Sequence, residues 1–187
     1  MKKTILLLIC LFGLIGMEAN AQRNTNSSSY GSTFNAGLGI GYFGYVGRSI
    51  PMIHLNYEFD VAKNFTLAPF IGLYSVSNEY YWGNNNIPYR NYTYRETVIP
   101  IGVKGTYYFD QLVSAGSNWD FYVAGSLGLA IVSRNWENGY DGDRNYYRSA
   151  QPLYLGFHLG TEYHFNNRIG AFLDLSSNGS SIGLAIH

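Results

Sequence analysis

From Phe34 to Tyr42 an apolar side chain stands at every second position, Phe34, Ala36, Leu38, Ile40 and Tyr42, while Asn35, Gly37, Gly39 and Gly41 fill the places between. A period of two is the mark of a β-strand with unlike faces. The alternation returns in Ile53, Leu55, Tyr57 and Phe59 against His54, Asn56, Glu58 and Asp60, and in Ile99, Ile101, Val103, Tyr107 and Phe109 against Gly102, Lys104, Thr106 and Tyr108. It continues in Phe121, Val123, Leu127, Leu129 and Ile131, in Leu153, Leu155, Phe157, Leu159, Tyr163 and Phe165, in Ile169, Ala171, Leu173 and Leu175, and in Ile182, Leu184 and Ile186. A further strand runs from Phe65 to about Val76, where Leu67, Ile71 and Leu73 compete with Phe70 and Tyr74, so its register stays open. The pattern predicts eight strands. Short turns are expected at Gly44 to Ser49, Ala62-Lys63-Asn64, Gly116-Ser117-Asn118, Asn166-Asn167 and Ser177-Asn178-Gly179-Ser180, the last with the Asn-Gly pair that favours tight hairpins. Two long polar and aromatic stretches, Ser77 to Arg95 and Arg134 to Gln151, read as large loops.

The second face of these strands decides the fold class. A soluble sandwich or lipocalin-like barrel turns its apolar row inward and carries hydrophilic side chains outside. Here the row opposite the apolar one is mostly Gly, Ala and Ser, with Glu58, Lys104, His158, Glu162 and Asp174 scattered along it. Small residues and a few charges suit the crowded inside of a narrow barrel, with the apolar row facing lipid and Tyr and Phe near the strand ends forming girdles. The expected fold is all-β, a closed antiparallel up-and-down transmembrane β-barrel of eight strands over residues 33–187. Short connections after strands two, four and six and long ones after strands three and five fit periplasmic turns and outer loops. Both strand termini then lie on the periplasmic side.

Met1-Lys2-Lys3, the apolar run Ile5 to Ile15 and Ala19-Asn20-Ala21 have the layout of a secretory signal peptide, so residues 1–21 are expected to be removed, with residues 22–32 a flexible polar lead-in. Removing that segment takes Lys2, Lys3 and Glu18 from 12 basic and 12 acidic residues, leaving 10 and 11. A charge near −1 gives nucleic acid no basic surface to bind. Cys10, the single cysteine, lies inside the signal, which leaves no disulfide for the exported chain, and Ile9 before it does not fit a lipoprotein acylation site. The 18 Tyr and 11 Phe favour strands, and the 22 Gly weaken helices.

With these strands in place, Ile99-Pro100-Ile101-Gly102-Val103-Lys104 leading to Tyr107-Tyr108-Phe109, the glycine-rich Val123 to Leu129, and Ile182-Gly183-Leu184-Ala185-Ile186 resemble the small outer-membrane β-barrel proteins of the OmpA/OmpX-like superfamily. The likeness is to the porin-family, or outer-membrane β-barrel domain, proteins of the Bacteroidetes type. The resemblance implies a bacterial outer-membrane location, a monomer, outer-membrane lipids, lipopolysaccharide and the barrel assembly machinery as partners, and a salt-bridge cluster in the lumen that blocks or gates conduction. Many family members end on an aromatic residue that the assembly machinery reads, whereas Ile186-His187 stands here.

Within that frame Glu58, Lys104, His158, Glu162 and Asp174 form a polar lumen cluster, expected to satisfy one another, since unpaired charges in a confined interior are costly. Tyr81, Trp82, Tyr92, Arg95, Trp136, Arg144 and Tyr146 are the outer-loop candidates for binding an unidentified extracellular ligand; the alternative is that they extend the barrel and anchor at lipopolysaccharide. Asp141-Gly142-Asp143 lacks the spacing of a calcium loop, and His54, His158, His164 and His187 show no metal-ligand spacing, so neither metal nor cofactor is expected. The enzymatic rival is the lipid A deacylase barrel, whose motif sets a His two residues before Ser-Asn. Leu175-Ser176-Ser177-Asn178 is similar in part, but Leu175 occupies the histidine's place and leaves the serine without a base. The function expected is structural, in envelope integrity, or recognitional through the two outer loops, with no catalytic residue and no open diffusion pore.

Overall fold

A computed structural model describes residues 32–41, 50–109, 118–144 and 152–187. The signal and all but the end of the lead-in, the turn at Gly44 to Ser49, most of the turn at Gly116 to Asn118, and Tyr146 lie outside the described residues. Eight strands follow in chain order: β1 (Thr33–Gly41), β2 (Ile50–Ala62), β3 (Phe65–Asn84), β4 (Ile87–Tyr108), β5 (Trp119–Trp136), β6 (Leu153–His164), β7 (Ile169–Ser176) and β8 (Gly179–Ile186). Each pairs antiparallel with the next, and β8 returns to β1, where Phe34 faces Ile186 and Gly37 faces Gly183. The sheet is a closed up-and-down barrel with no free edge.

The apolar rows point outward. Leu155, Phe157 and Leu159 are 57%, 79% and 54% exposed, whereas His158 between them is 9% exposed and Gly160 is buried. This is the reverse of a lipocalin-like barrel and fits a wall whose solvent is hydrocarbon. The third strand resolves the same way: Ile71 and Leu73 are exposed, and Phe70 and Tyr74 are buried. Leu67 stays half-buried on the outer row. On β5 the apolar exterior runs from Val123 to Ile131, nine residues, and then gives way to Ser133 and Asn135. At ~3.4 Å per residue and a tilt of roughly 40°, nine residues rise about 20–25 Å, the height of a membrane barrel's apolar band. Below the band an aromatic girdle forms, in which Trp119 stacks on Phe121 at 6.1 Å and packs against Tyr163 at 4.8 Å.

The polar stretch after the third strand is not a loop. β3 continues to Asn84 and β4 begins at Ile87, so Ser77 to Arg95 extends the wall as a hairpin closed by Asn85-Asn86, and β5 follows it to Trp136. The Tyr and Thr content favours strand, and Ser77, Glu79 and Tyr81 keep one parity while Asn78, Tyr80 and Trp82 keep the other. The β7–β8 hairpin also departs from expectation. Its connection is Ser177-Asn178, with Gly179 already in β8, and among the described residues only Asn64 (φ 57°) and Gly139 (φ 87°) take positive φ. The turn is held by Ser176 Oγ, which accepts from the backbone N–H of Asn178 at 3.2 Å and of Gly179 at 3.1 Å.

Glycine pairs set how closely neighbouring walls approach. Gly102 and Gly128 face one another across β4 and β5. A Cβ on Gly128 would fall 2.1 Å from the Ile101 carbonyl oxygen, and one on Gly102 2.2 Å from that of Leu127. Backbone has no rotamer with which to yield. Gly128→Ala is therefore expected to lower folding stability by about 1–3 kcal/mol, read from urea titration of the barrel in detergent or bilayers.

Candidate functional site

Inward-facing residues of β4 trace the lumen from one mouth to the other: Tyr108, Thr106, Lys104, Gly102, Pro100, Val98, Glu96, Tyr94 and Tyr92. Lys104 is the hub of the polar section. Its Nζ lies 3.6 Å from Glu58 Oε1 on β2 and 3.4 Å from Asp174 Oδ2 on β7, so one cation bridges carboxylates from separate walls. All three side chains are buried. Glu58 Oε2 also accepts from Thr66 Oγ1 and from the Tyr108 hydroxyl, both at 2.8 Å, and Glu58 Oε1 accepts from Asn35 Nδ2 at 3.1 Å. Asp174 Oδ2 accepts from the Tyr122 hydroxyl at 3.0 Å, and its Oδ1 lies 2.7 Å from His158 Nδ1. Sequence reading found the charges but missed these neutral donors. The signal was there, since Thr66, Tyr108, Tyr122 and Ser126 share the lumen parity of their strands.

Ser126 Oγ lies 3.0 Å from His158 Nε2, so Ser126, His158 and Asp174 stand in the order of a hydroxyl–imidazole–carboxylate relay. The space around it is small. The adjoining cavity, walled by His54, Phe70, Tyr154 and Ser176 among others, has a volume of ≈ 20 Å³, and a second beside Glu58, Tyr108 and Tyr122 has ≈ 10 Å³. That is room for about one water, against the ~300 Å³ or more of a substrate pocket. Further along, Met52, Tyr74, Val98 and Ala130 form a buried apolar layer packed against Val76 and Val132. The described lumen is a filled core.

Glu162 belongs to a different group. Its Oε1 lies 2.7 Å from His187 Nε2 and 3.8 Å from His164 Nδ1, at the mouth where β1 begins and β8 ends. His164 Nε2 lies 2.7 Å from Asp120 Oδ2, and His187 Nδ1 lies 2.9 Å from Thr33 Oγ1. Residues from β1, β5, β6 and the end of β8 thus converge. Gly170 of β7, paired with both His164 and Ala185, lets β6 and β8 side chains meet across it, because a Cβ there would lie 2.4 Å from Glu162 Oε1. No sequence spacing announces this cluster, which arises from the closing register.

The outer candidates divide between two faces of the extended wall. Trp82, Tyr92 and Trp136 face inward and pack with Tyr80, Tyr94 and Tyr140; Trp136 stacks on Tyr140 at 4.0 Å, and Tyr92 meets Tyr140 at 5.4 Å. Tyr92 and Tyr94 are each 1% exposed, so these rings build the wall and offer little surface. Glu137 pins the segment after β5 to β4, accepting from the Thr93 backbone N–H at 2.9 Å and meeting Arg90 at 3.7 Å. Arg144 donates to the Tyr140 carbonyl at 3.2 Å. On the outer face Tyr81 stacks on Tyr89 at 5.7 Å with both rings exposed, and Arg95 donates to Ser77 Oγ at 3.3 Å. Tyr81, Trp82, Tyr92, Arg95 and Trp136 therefore sit on strands, not on loops.

In the partial deacylase motif, Leu175 is exposed on the apolar exterior, and Ser177 Oγ accepts from the Phe157 backbone N–H at 3.1 Å. Its neighbour Asn178 donates from Nδ2 to the Leu155 carbonyl at 2.6 Å. These residues fasten the hairpin.

No protein-family model matches the chain, and neither does any curated protein. Solved structures match in fold. Neisserial surface protein A (NspA), 13% identical, superposes with a TM-score of 0.53 over 83% of this chain and 94% of its own. A de novo designed transmembrane β-barrel is similar at TM-score 0.47 and 12% identity, over 86% of this chain and 98% of its own. Ail, the attachment invasion locus protein of Yersinia pestis, solved with the heparin analogue sucrose octasulfate, is similar at TM-score 0.46 and 6% identity, over 83% and 94%. At such identities the likeness is one of fold, that of an eight-strand transmembrane barrel.

Removing the hub cation leaves two carboxylates buried without their counter-charge, a loss of about 3–5 kcal/mol. Lys104→Met is expected to lower the urea midpoint accordingly, and adding Glu58→Gln and Asp174→Asn to it should recover a large part of the loss.

Proposed function

We propose that the protein is an integral, monomeric barrel of the bacterial outer membrane, without enzymatic activity, that acts at the cell surface through the tall wall of β3, β4 and β5. The observation that carries this reading is the exterior of that wall. It is apolar through Leu73, Ile99 and Ile131, and turns polar at Ser75, Thr97 and Ser133 while the strands run on. Lipid suits the first part and water the second. The interior is plugged by paired charges and an apolar layer, which favours display over conduction.

Recognition falls to the outer face, where the exposed Tyr81–Tyr89 stack and Arg95 offer rings and a guanidinium at the surface. The inner aromatics serve as the wall's own core and hold it rigid, lowering the ordering cost of binding. A Bacteroidetes-type source and contacts with lipopolysaccharide and the barrel assembly machinery belong to the same reading.

Cell fractionation with heat-modifiable gel mobility tests location and closure together; recovery of the chain in the periplasmic fraction would overturn the proposal. Leu127→Arg, at the middle of the apolar band, is expected to cost about 2–4 kcal/mol of folding stability in a bilayer. Combined Tyr81→Ser, Tyr89→Ser and Arg95→Ser substitution should leave the heat-modifiable fold intact. It should weaken retention on immobilised lipopolysaccharide or on arrayed matrix proteins and glycans by about tenfold or more, as loss of exposed aromatic and Arg anchors does. Unchanged retention would assign the wall a structural role. Lipid A mass spectra from expressing cells are expected to stay unaltered, and a lost acyl chain would establish an enzyme.

A further inference from the structure

We propose that the barrel mouth formed by the start of β1 and the end of β8 is a binding site for a divalent transition-metal ion, best suited to Zn²⁺, with Glu162, His164 and His187 as ligands. One donor atom from each residue lies within 4.8 Å of those of the other two. Ligands on tetrahedral zinc, bonded at ~2.0–2.2 Å, stand about 3.3–3.5 Å apart, so the three reach that spacing by small side-chain rotations. The donor set is two imidazoles and one carboxylate, which fits zinc, copper or nickel. Calcium and magnesium take oxygen instead.

The arrangement around the ligands sets this cluster apart from a chance gathering of polar groups. A metal-bound imidazole characteristically gives its other N–H to a carboxylate, hydroxyl or carbonyl, which fixes both ring orientation and tautomer. Both rings have such a partner here. Asp120 Oδ2 accepts from His164 Nε2 at 2.7 Å and leaves Nδ1 turned to Glu162, while Thr33 Oγ1, which can accept or donate, lies 2.9 Å from His187 Nδ1 and leaves Nε2 turned to Glu162. His164 Nδ1 and His187 Nε2 therefore both face Glu162 Oε1; the 2.7 Å contact of His187 Nε2 is a hydrogen bond donated to that carboxylate, and a bound ion takes the proton's place. The Asp120 backbone is fixed as well, because Thr161 Oγ1 donates to its carbonyl at 2.9 Å.

Access is also present. The Glu162 side chain is 6% exposed at the inner side, and those of His164 and His187 are 24% and 18% exposed, so an ion reaches the group from water and keeps a position for a water ligand. Gly170 makes the carboxylate's place, since a side chain there would displace Glu162 Oε1. An ion on these ligands links β6 to the end of β8 beside the seam where β8 meets β1.

The test is calorimetric titration of the tag-free, chelator-stripped barrel in detergent with ZnCl₂, with CoCl₂ absorption reporting coordination. One ion per chain at micromolar or tighter affinity is expected, together with the visible d–d bands of low-coordinate cobalt and no competition from a large excess of CaCl₂. His164→Gln and His187→Gln should each abolish tight binding. Asp120→Asn, which spares the ligands, should weaken it about 10- to 100-fold, and Gly170→Ala, which pushes Glu162 Oε1 aside, should weaken it too, each variant being checked for heat-modifiable mobility. Failure of the unaltered chain to bind below millimolar Zn²⁺ would overturn the site, as would stoichiometric binding that survives the paired His164→Gln and His187→Gln change. The wild-type titration decides the matter even where a variant fails to fold. Its outcome is independent of surface recognition, which is read on the opposite rim.

Discussion

Closure of the hydrogen-bonded ladder is the constraint from which the other features follow. Hydrocarbon offers no partner to a backbone N–H or C=O, so a sheet that crosses it has to pair every strand on both sides. Eight antiparallel strands joined from β8 back to β1 achieve this with the shortest circuit that still encloses side chains. Once the ring is closed, alternate residues have opposite fates. Outward positions take Leu, Ile, Val and Phe, and inward ones have to fit a bore too narrow for a second apolar core of ordinary size. The glycine pairs across β4–β5 and β8–β1 are part of that fit.

Inside the bore, polarity is tolerated because it is matched. Lys104 faces two carboxylates, and each carboxylate also accepts from tyrosine, so the charges are solvated by side chains in place of water. Such a network joins β2, β4 and β7 across the interior, where the ladder joins only neighbours. The hydroxyl–imidazole–carboxylate order of Ser126, His158 and Asp174 belongs to the same economy of donors and acceptors. The surrounding cavity of ≈ 20 Å³ holds about one water.

The alternation of residues made most of this legible. Rows such as Leu155, Phe157 and Leu159 against Gly156, His158 and Gly160 gave both the strand and its inside-out orientation, because a face of glycine and isolated charges makes a poor aqueous surface. Hydropathy was a weaker guide where both faces turn polar. Beyond Leu73 the outer row is Ser75, Ser77 and Glu79, so the strand outlasts its apolar signal and Ser77 to Arg95 reads as loop while folding as hairpin. Trp82, Tyr92 and Trp136 consequently resemble exposed anchors in the sequence and serve as packing in the structure. The mouth cluster was beyond reach for another reason: Asp120, Glu162, His164 and His187 become neighbours through the register of four strands, and no local spacing encodes that register.

The bond between Thr33 and His187 joins positions separated by 154 residues, and the ladder beside it has the same long reach. Every other strand pair is a hairpin that can form from local chain. The circuit is therefore completed last on entropic grounds. Until then the sheet presents two raw margins, β1 and β8, each able to template another chain. Those margins are spent only when β8 meets β1, so the seam is where the barrel is committed.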